Sequence, residues 1–409
     1  MSSAAPTLPW WKTVFVFGPH AGSHRVAARA GISVVVPLVT VWALGHVEWS
    51  LYAAFGSFAA LYGRNVGYRH RFRMQLSAAI VLVGAVVLGV VVAGMPAHEW
   101  WIVGIGAAWA TLVAVLSDVF RWNPPGPLFG VFALCAVASV PPGPDSLLVA
   151  VVVSSGAAVV SLVVGGAGAV IVRRARAERR GAAAAAAARA PAPVPDSTSS
   201  STSSSVAASN PAASNPTTSA PAPAAPAAAR LARILPEGAQ RLAHAARFGI
   251  AAALAGGLST ALGIGHPYWA MIAAVVPLVA VRLSHSALRA THRIVGTFLG
   301  LILAAILLSA QPSGLAAILL VVALQIAAEL FVTRNYGFAL LFVTPLALVM
   351  IDLAHPTDTA TLIVDRLVET ALGTVVALVV AVATWALWGR RVTASASAPH
   401  GPLPSTPTA

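Results

Sequence analysis

Apolar positions along this chain fall into twelve runs, six on each side of a long polar stretch. The first six lie near 26–46, 50–62, 75–94, 100–117, 126–141 and 147–172. The other six lie near 246–263, 268–281, 294–310, 314–333, 337–351 and 366–388. Long Ala/Val/Leu/Gly runs without strict alternation predict helices, and about 20 helical residues match a bilayer core of roughly 30 Å. In lipid every backbone polar group has to be satisfied within the protein, which admits helices or closed barrels and here selects helices.

The two sets of runs are copies of one another. AARAGI at 27–32 returns as AARFGI at 245–250, and ALG at 43–45 returns at 261–263. After a two-residue slip Trp49 pairs with Trp269, Ala53-Ala54 with Ala273-Ala274, and Arg73 with Arg293. An even number of spans per copy inserts both the same way up, related by an axis along the membrane normal. The pattern therefore predicts an all-α polytopic membrane protein with twelve transmembrane helices in two parallel six-helix repeats. Residues 1–25 form an interfacial N-terminal segment, 26–175 the first repeat, 176–240 a linker, 241–389 the second repeat and 390–409 a tail.

Composition supports this picture. Charged residues make up only 9% of the chain, against roughly 25% in soluble domains. With a mean hydropathy of +0.83, most of the surface has to face lipid, so the bilayer is the first expected partner. A net charge of +13 raises the question of nucleic acid, but the arginines sit in short clusters beside apolar runs, the mark of membrane topology. No nucleic-acid partner is expected. Arg64, Arg69, Arg71 and Arg73 follow the second run, and Arg282, Arg289 and Arg293 follow its copy. Arg121 and Arg334 follow the fourth runs, and Arg173, Arg174, Arg176, Arg179 and Arg180 follow the sixth. Arg390 and Arg391 follow the twelfth, whereas Glu48, Glu99, Asp145, Asp352 and Asp358 occupy the opposite loops. Twelve spans put every basic cluster on one side, which makes both termini and the linker cytoplasmic.

Residues 181–229 are almost entirely Ala, Pro, Ser, Thr and Asn, and read as a disordered tether, although the alanine run 182–188 can extend the sixth helix. Trp10, Trp11 and Lys12 read as an interfacial anchor, with no cleavable signal peptide. The single cysteine, Cys135, excludes a disulfide within the chain and reads as a packing residue.

Catalytic signatures and metal-ligand spacings are absent, so neither an enzyme nor a cofactor or metal site is expected. The pointers to function are short or proline-broken runs at matching positions in the two copies. Runs two and eight are about two-thirds of a span, with Pro277 in the later one; runs five and eleven are also short, with Pro345 inside the latter. Arg29 and Arg247 recur at the start of the first span of each copy, where two guanidinium groups could form a ring attractive to anions. Trp49, Trp269, Asn335 and Tyr336 complete the candidate substrate-binding set. Of the carboxylates near or in spans, Asp118, Glu329, Asp365 and Glu369 are best placed, and Glu329, Asp365 and Glu369 are the candidates for proton coupling. Glu369 is spaced to meet Arg366 on one helix face. Gly296 and Gly300 read as a close helix contact, and the scattered histidines as interfacial polar residues.

Four segments carry a family likeness: PYWAMIAAVVPLV at 267–279, RATHRIVGTFLG at 289–300, RNYGFALLFVTPLAL at 334–348 and RLVETALGT at 366–374. EWSLYAAFGSFAALYGR at 48–64 is a looser copy. The chain resembles the fusaric acid resistance-like family of bacterial inner-membrane proteins, also called aromatic acid exporters. It is similar as well to plant aluminium-activated malate channels. The resemblance implies two six-helix blocks in the inner membrane and export of small, often aromatic, carboxylic acids. Trp269, Arg289, Arg293, Gly296, Asn335, Tyr336 and Arg366 match it as packing and loop-anchoring positions.

The expectation from the sequence is an exporter of small organic anions, aromatic carboxylates foremost, coupled to protons. A passive anion channel and a non-transporting envelope scaffold are the alternatives. A major facilitator carrier ranks lower, because the 63–73 loop GRNVGYRHRFR lacks an acidic residue. The copies also leave room for a homo-oligomer.

Overall fold

The computed structural model describes residues 16–19, 22–64, 66–143, 145–189, 227–280 and 283–396. These contain twelve α-helices: α1 Ser23–Ala43, α2 Ser50–Ser57, α3 Tyr68–Ala93, α4 His98–Val119, α5 Leu128–Ala138, α6 Ser146–Arg189, α7 Ala227–Ala261, α8 Pro267–Leu278, α9 Leu283–Ser309, α10 Gly314–Phe331, α11 Tyr336–Ala354 and α12 Thr359–Ala396. The chain divides into two compact units. Residues 1–167 and 241–409 form one, so both sets of runs share it, and residues 168–240 form the other. Within the second unit 168–189 and 227–240 are helical: the sixth helix extends through the alanine run 182–188 as its composition allows, and helix replaces the linker read at 227–240; 190–226 lie outside the described residues. Helix α12 likewise carries the first part of the tail, to Ala396. The anchor at Trp10, Trp11 and Lys12 also lies outside the described residues.

Nine helices among the described residues are long and apolar enough to cross a membrane. Large apolar side chains cover their outward faces, while small and polar ones join further apolar residues within. On α9, Ile294, Val295, Phe298, Leu299, Ile302 and Ile306 are exposed, whereas Arg293, Gly296, Thr297, Gly300 and Ala304 are buried. That is the reverse of a soluble helix and suits lipid as solvent.

The three short helices are the exception. Helix α2, continued by a 3₁₀ turn at Phe58–Leu61, reaches only about 20 Å, α5 about 17 Å and α8 about 18 Å. None matches a hydrocarbon core of roughly 30 Å. None has to, because protein surrounds them: every residue of α8 is buried, and so is every residue of α2 except Tyr52. Run eleven departs from its expected shortness. Helix α11 spans 19 residues, about 28 Å, and continues through Pro345 to Ala354. The Asn335 side chain starts it, accepting a hydrogen bond from the Phe338 amide at 2.9 Å.

Glycines set the helix pairings. A Cβ on Gly56 would strike Ser154 and Ala157 of α6, and one on Gly373 would strike Ala270 and Ala273 of α8, so the second and sixth helices pack closely in each half, through a glycine of the second in one and of the sixth in the other. Gly296 and Gly300 press against Gly337, Leu340 and Thr344, the close contact expected of their spacing, and Gly89 does the same against Leu134 and Val137. Between the halves the contacts are reciprocal. Gly31 of α1 lies against Ile326 of α10, and its counterpart Gly249 of α7 lies against Ala107 and Thr111 of α4. Helix α12 is capped by Asp358. Its carboxylate accepts from the Thr361 amide (2.9 Å) and hydroxyl (2.8 Å), and these bonds hold it below the usual carboxylate range.

Gly373→Ala should lower stability by about 1–3 kcal/mol, because the methyl group meets the Ala270 backbone. Gly104→Ala, with open space around it, should be neutral or stabilising by up to about 1 kcal/mol from helix propensity. Thermal unfolding of both variants in detergent checks the contrast; equal melting temperatures would contradict the packing described.

Candidate functional site

The short helices meet around a cavity of about 440 Å³, a volume typical of small-ligand sites. Its apolar wall includes Phe58 at the end of α2, Phe129 and Phe132 on α5, and Trp269, Ile272 and Val276 on α8. The rings interlock: Phe58 meets Phe129 edge-on with centroids 5.5 Å apart, and Phe132 lies 5.3 Å from Trp269. The polar wall holds Arg64 after α2, Arg289 and Arg293 on α9, Gln325 and Glu329 on α10, Tyr336 on α11 and Arg366 on α12. Four arginines face one carboxylate.

That carboxylate is occupied. Arg64 Nη2 donates to Glu329 Oε2, and Gln325 Nε2 donates to Oε1 at 3.5 Å. The Arg64–Glu329 pair is buried on both sides and ties the first half of the chain to the second. Arg293 and Arg366 have no such partner. Each is 2% exposed. Arg293 Nη1 donates to the Tyr336 hydroxyl at 3.3 Å, while its Nε and Nη2 are unpartnered. The Arg366 guanidinium lies 3.6 Å from the Trp269 ring centroid, and its Nε and Nη1 are unpartnered. Stacking on a desolvated indole stabilises a guanidinium by about 2 kcal/mol, but it supplies no acceptor to the N–H groups. The two cations also stand within electrostatic range of each other. Two like charges withdrawn from water and short of acceptors make an arrangement completed by an anion.

The residues singled out from the sequence divide between this cavity and other places. Trp269, Tyr336 and Glu329 line it. Arg29 and Arg247 do not, and they take matching positions instead. Arg29 Nη2 donates to the Ala60 carbonyl at 3.5 Å, and Arg247 Nη2 donates to the Leu278 carbonyl at 3.2 Å, each 31 residues ahead. Each thus ties the end of its half's second helix, where carbonyls lack helical partners. Arg247 also meets His244 Nδ1 at 2.8 Å, and Arg29 stands within electrostatic range of Arg64 and Glu329. Trp49 stacks on His46 with centroids 3.8 Å apart, outside the cavity. Asn335 caps α11 and donates to the Val16 carbonyl at 3.2 Å. Asp365 pairs with His266, and Glu369 accepts from Ser259. No ion pair joins Glu369 to Arg366, contrary to their helical spacing, because Arg366 is drawn over Trp269.

The sequence reading undervalued Arg64, Arg289, Arg293 and Arg366, treating them as topology or anchoring residues. One signal was available: Arg289 and Arg293 are four apart in RATHR, which puts both on one face of α9. The phenylalanines of α2 and α5 carried no such signal, since any apolar run contains them.

Residues 252–380 match the family described as fusaric acid resistance protein-like, which bears out the resemblance read from the motifs. An uncharacterized membrane protein, YvaC of Bacillus subtilis (strain 168), is 31% identical over 150 residues, covering 36% of this chain. The aligned part spans 23% of that relative's length. No solved structure matches. With nine apolar helices of membrane-crossing length among the described residues, the chain is a multi-pass membrane protein.

Replacing one partner of the buried Arg64–Glu329 pair, as Arg64→Met or Glu329→Leu, should cost about 3–5 kcal/mol. The double variant should cost less than either single one, since it leaves no buried charge unpaired. Unfolding of the four proteins in detergent measures the coupling. Single effects that add to within about 0.5 kcal/mol would show that the pair does not join the halves energetically.

Proposed function

We propose that this protein transports small organic anions, aromatic carboxylates foremost, through the cavity between its two halves. One observation carries the reading. Arg293 and Arg366 are almost fully buried, point unpartnered N–H donors at a cavity, and share it with the rings of Trp269 and Phe132. A carboxylate offers a planar, bidentate acceptor to guanidinium groups, and an attached ring suits the aromatic wall. The family likeness adds support, implying export of such acids from the cytoplasm.

The reciprocal contacts of Gly31 and Gly249 support a two-fold relation of the halves, since contact i to j repeated as j to i is the mark of such an axis. So does the shared pairing of the second and sixth helices. With α2, α5 and α8 counted as crossings inside the protein, twelve passages place every arginine cluster on the cytoplasmic side. Both termini are then cytoplasmic, in the inner membrane. A single cysteine simplifies the test: in a Cys135→Ala background, Arg121→Cys should react only with reagents that reach the cytoplasm, and Glu99→Cys from outside.

Binding of benzoate and 4-hydroxybenzoate to the purified protein should quench tryptophan fluorescence through Trp269. Arg366→Gln and Arg293→Gln should each weaken binding by at least about tenfold, the scale of a lost charge-assisted hydrogen bond. Cells lacking the gene should retain more labelled hydroxybenzoate than cells expressing it. Equal retention across a panel of aromatic and aliphatic acids sinks the transport reading. Unitary currents in planar bilayers would assign the same site to a channel.

A further inference from the structure

Exposure falls along the cationic face of α9. Ser284 and His285 near its start are exposed, Arg289 is half-buried, and Arg293 is almost fully buried. Arg289 and Arg293 both line the cavity, about one turn and about 6 Å apart along the helix axis. Tyr336 bridges them. The Arg289 guanidinium lies 5.9 Å from its ring centroid, and Arg293 Nη1 donates to its hydroxyl at 3.3 Å. Because that hydroxyl accepts from Arg293, its own O–H proton is left to be donated. No carboxylate among the described residues pairs with Arg289. Glu329, the carboxylate on the cavity wall, pairs with Arg64 instead.

Resting on the anion reading above, we infer that the anion takes two positions in succession: Arg289 captures it, and Arg293 with Arg366 then holds it. The reason lies in desolvation. A carboxylate stripped of water before it meets donors is costly to bury, whereas one that exchanges water for donors in steps avoids that cost. At the half-buried Arg289 an anion gains a bidentate partner while keeping part of its water. The Tyr336 O–H and the unpartnered Nε and Nη2 of Arg293 come next, about 6 Å further along α9. The unpartnered Nε and Nη1 of Arg366 complete the set.

The two stations differ in what they contribute. A partly hydrated charge raises the local concentration of anions and speeds their entry, but adds little to the hold on an anion already bound. A buried charge short of acceptors does the reverse. Under the orientation proposed above, the start of α9 faces the cytoplasm, so an anion leaving the cell meets Arg289 first.

Temperature-jump relaxation of tryptophan fluorescence, with benzoate or 4-hydroxybenzoate and the purified protein, separates the two contributions by giving association and dissociation rates. Arg289→Gln should slow association several-fold at low ionic strength. The deficit should shrink at about 1 M salt, where charges are screened beyond about 3 Å. Dissociation from this variant should not quicken. Arg366→Gln should quicken dissociation and alter association less than Arg289→Gln does. Arg289→Cys in a Cys135→Ala background allows the charge to be reset in one folded protein. Attaching an ammonium group to the new thiol should restore fast association, and attaching a sulfonate should slow it further. Association indifferent to the charge carried there, or an affinity loss in Arg289→Gln that comes from faster dissociation, overturns the inference and leaves the anion reading intact. No binding of either acid to the wild-type protein overturns both.

Discussion

Lipid tolerates no unsatisfied backbone and sets a length of roughly 30 Å for whatever it touches. Helices α2, α5 and α8 are shorter than that, and the rest of the structure follows from having to enclose them. They are ringed by longer helices whose outer faces are rich in Ile, Leu, Val and Phe and whose inner faces bring Gly, Ala, Ser and Thr among buried Leu and Val. Wherever a short helix stops, backbone carbonyls face inward without partners. Arg29 and Arg247 meet that need in equivalent places, each reaching the end of the second helix in its own half. The two halves thus share a solution to a local problem, down to the same 31-residue reach.

Enclosure also creates the site. Space left around the ends of short helices is walled by their aromatic side chains and by the inward-facing polar residues of α9, α10 and α12. Charge there is arranged unequally. Arg64 and Glu329 neutralise each other and join the halves, so that pair serves cohesion. Arg293 and Arg366 are held by a tyrosine hydroxyl and an indole face, supports that fix geometry without neutralising charge. The result is a cationic cavity in an apolar setting, where each electrostatic interaction is stronger than it would be in water.

The sequence by itself determined that the chain is helical, that it lies in a membrane, that motifs of its first half recur in its second and that some of its apolar segments are too short to span. These properties are local or additive: apolar run length, arginine clustering and repeated motifs survive being read one segment at a time. Periodicity also anticipated the glycine contact of α9 with α11. It failed at run eleven, where Asn335 caps a helix that starts at Tyr336 and carries Asp352 within it to Ala354. At the start of the linker helix runs on through the alanine stretch, as its composition allows, whereas at 227–240 and in the tail to Ala396 helix continues where composition suggested none.

Which arginines face the cavity was decided only by the tertiary structure. Arg29, Arg64, Arg293 and Arg366 look alike in the chain, each a cation at the margin of an apolar run. One ties a helix end, one neutralises a carboxylate 265 residues away, and two are left with free donors. The same holds for Glu369, whose spacing from Arg366 suggests a salt bridge that the Trp269 ring prevents. Partnership of buried charges depends on which helices pack together, and that rests on contacts between residues hundreds of positions apart, which no local pattern encodes.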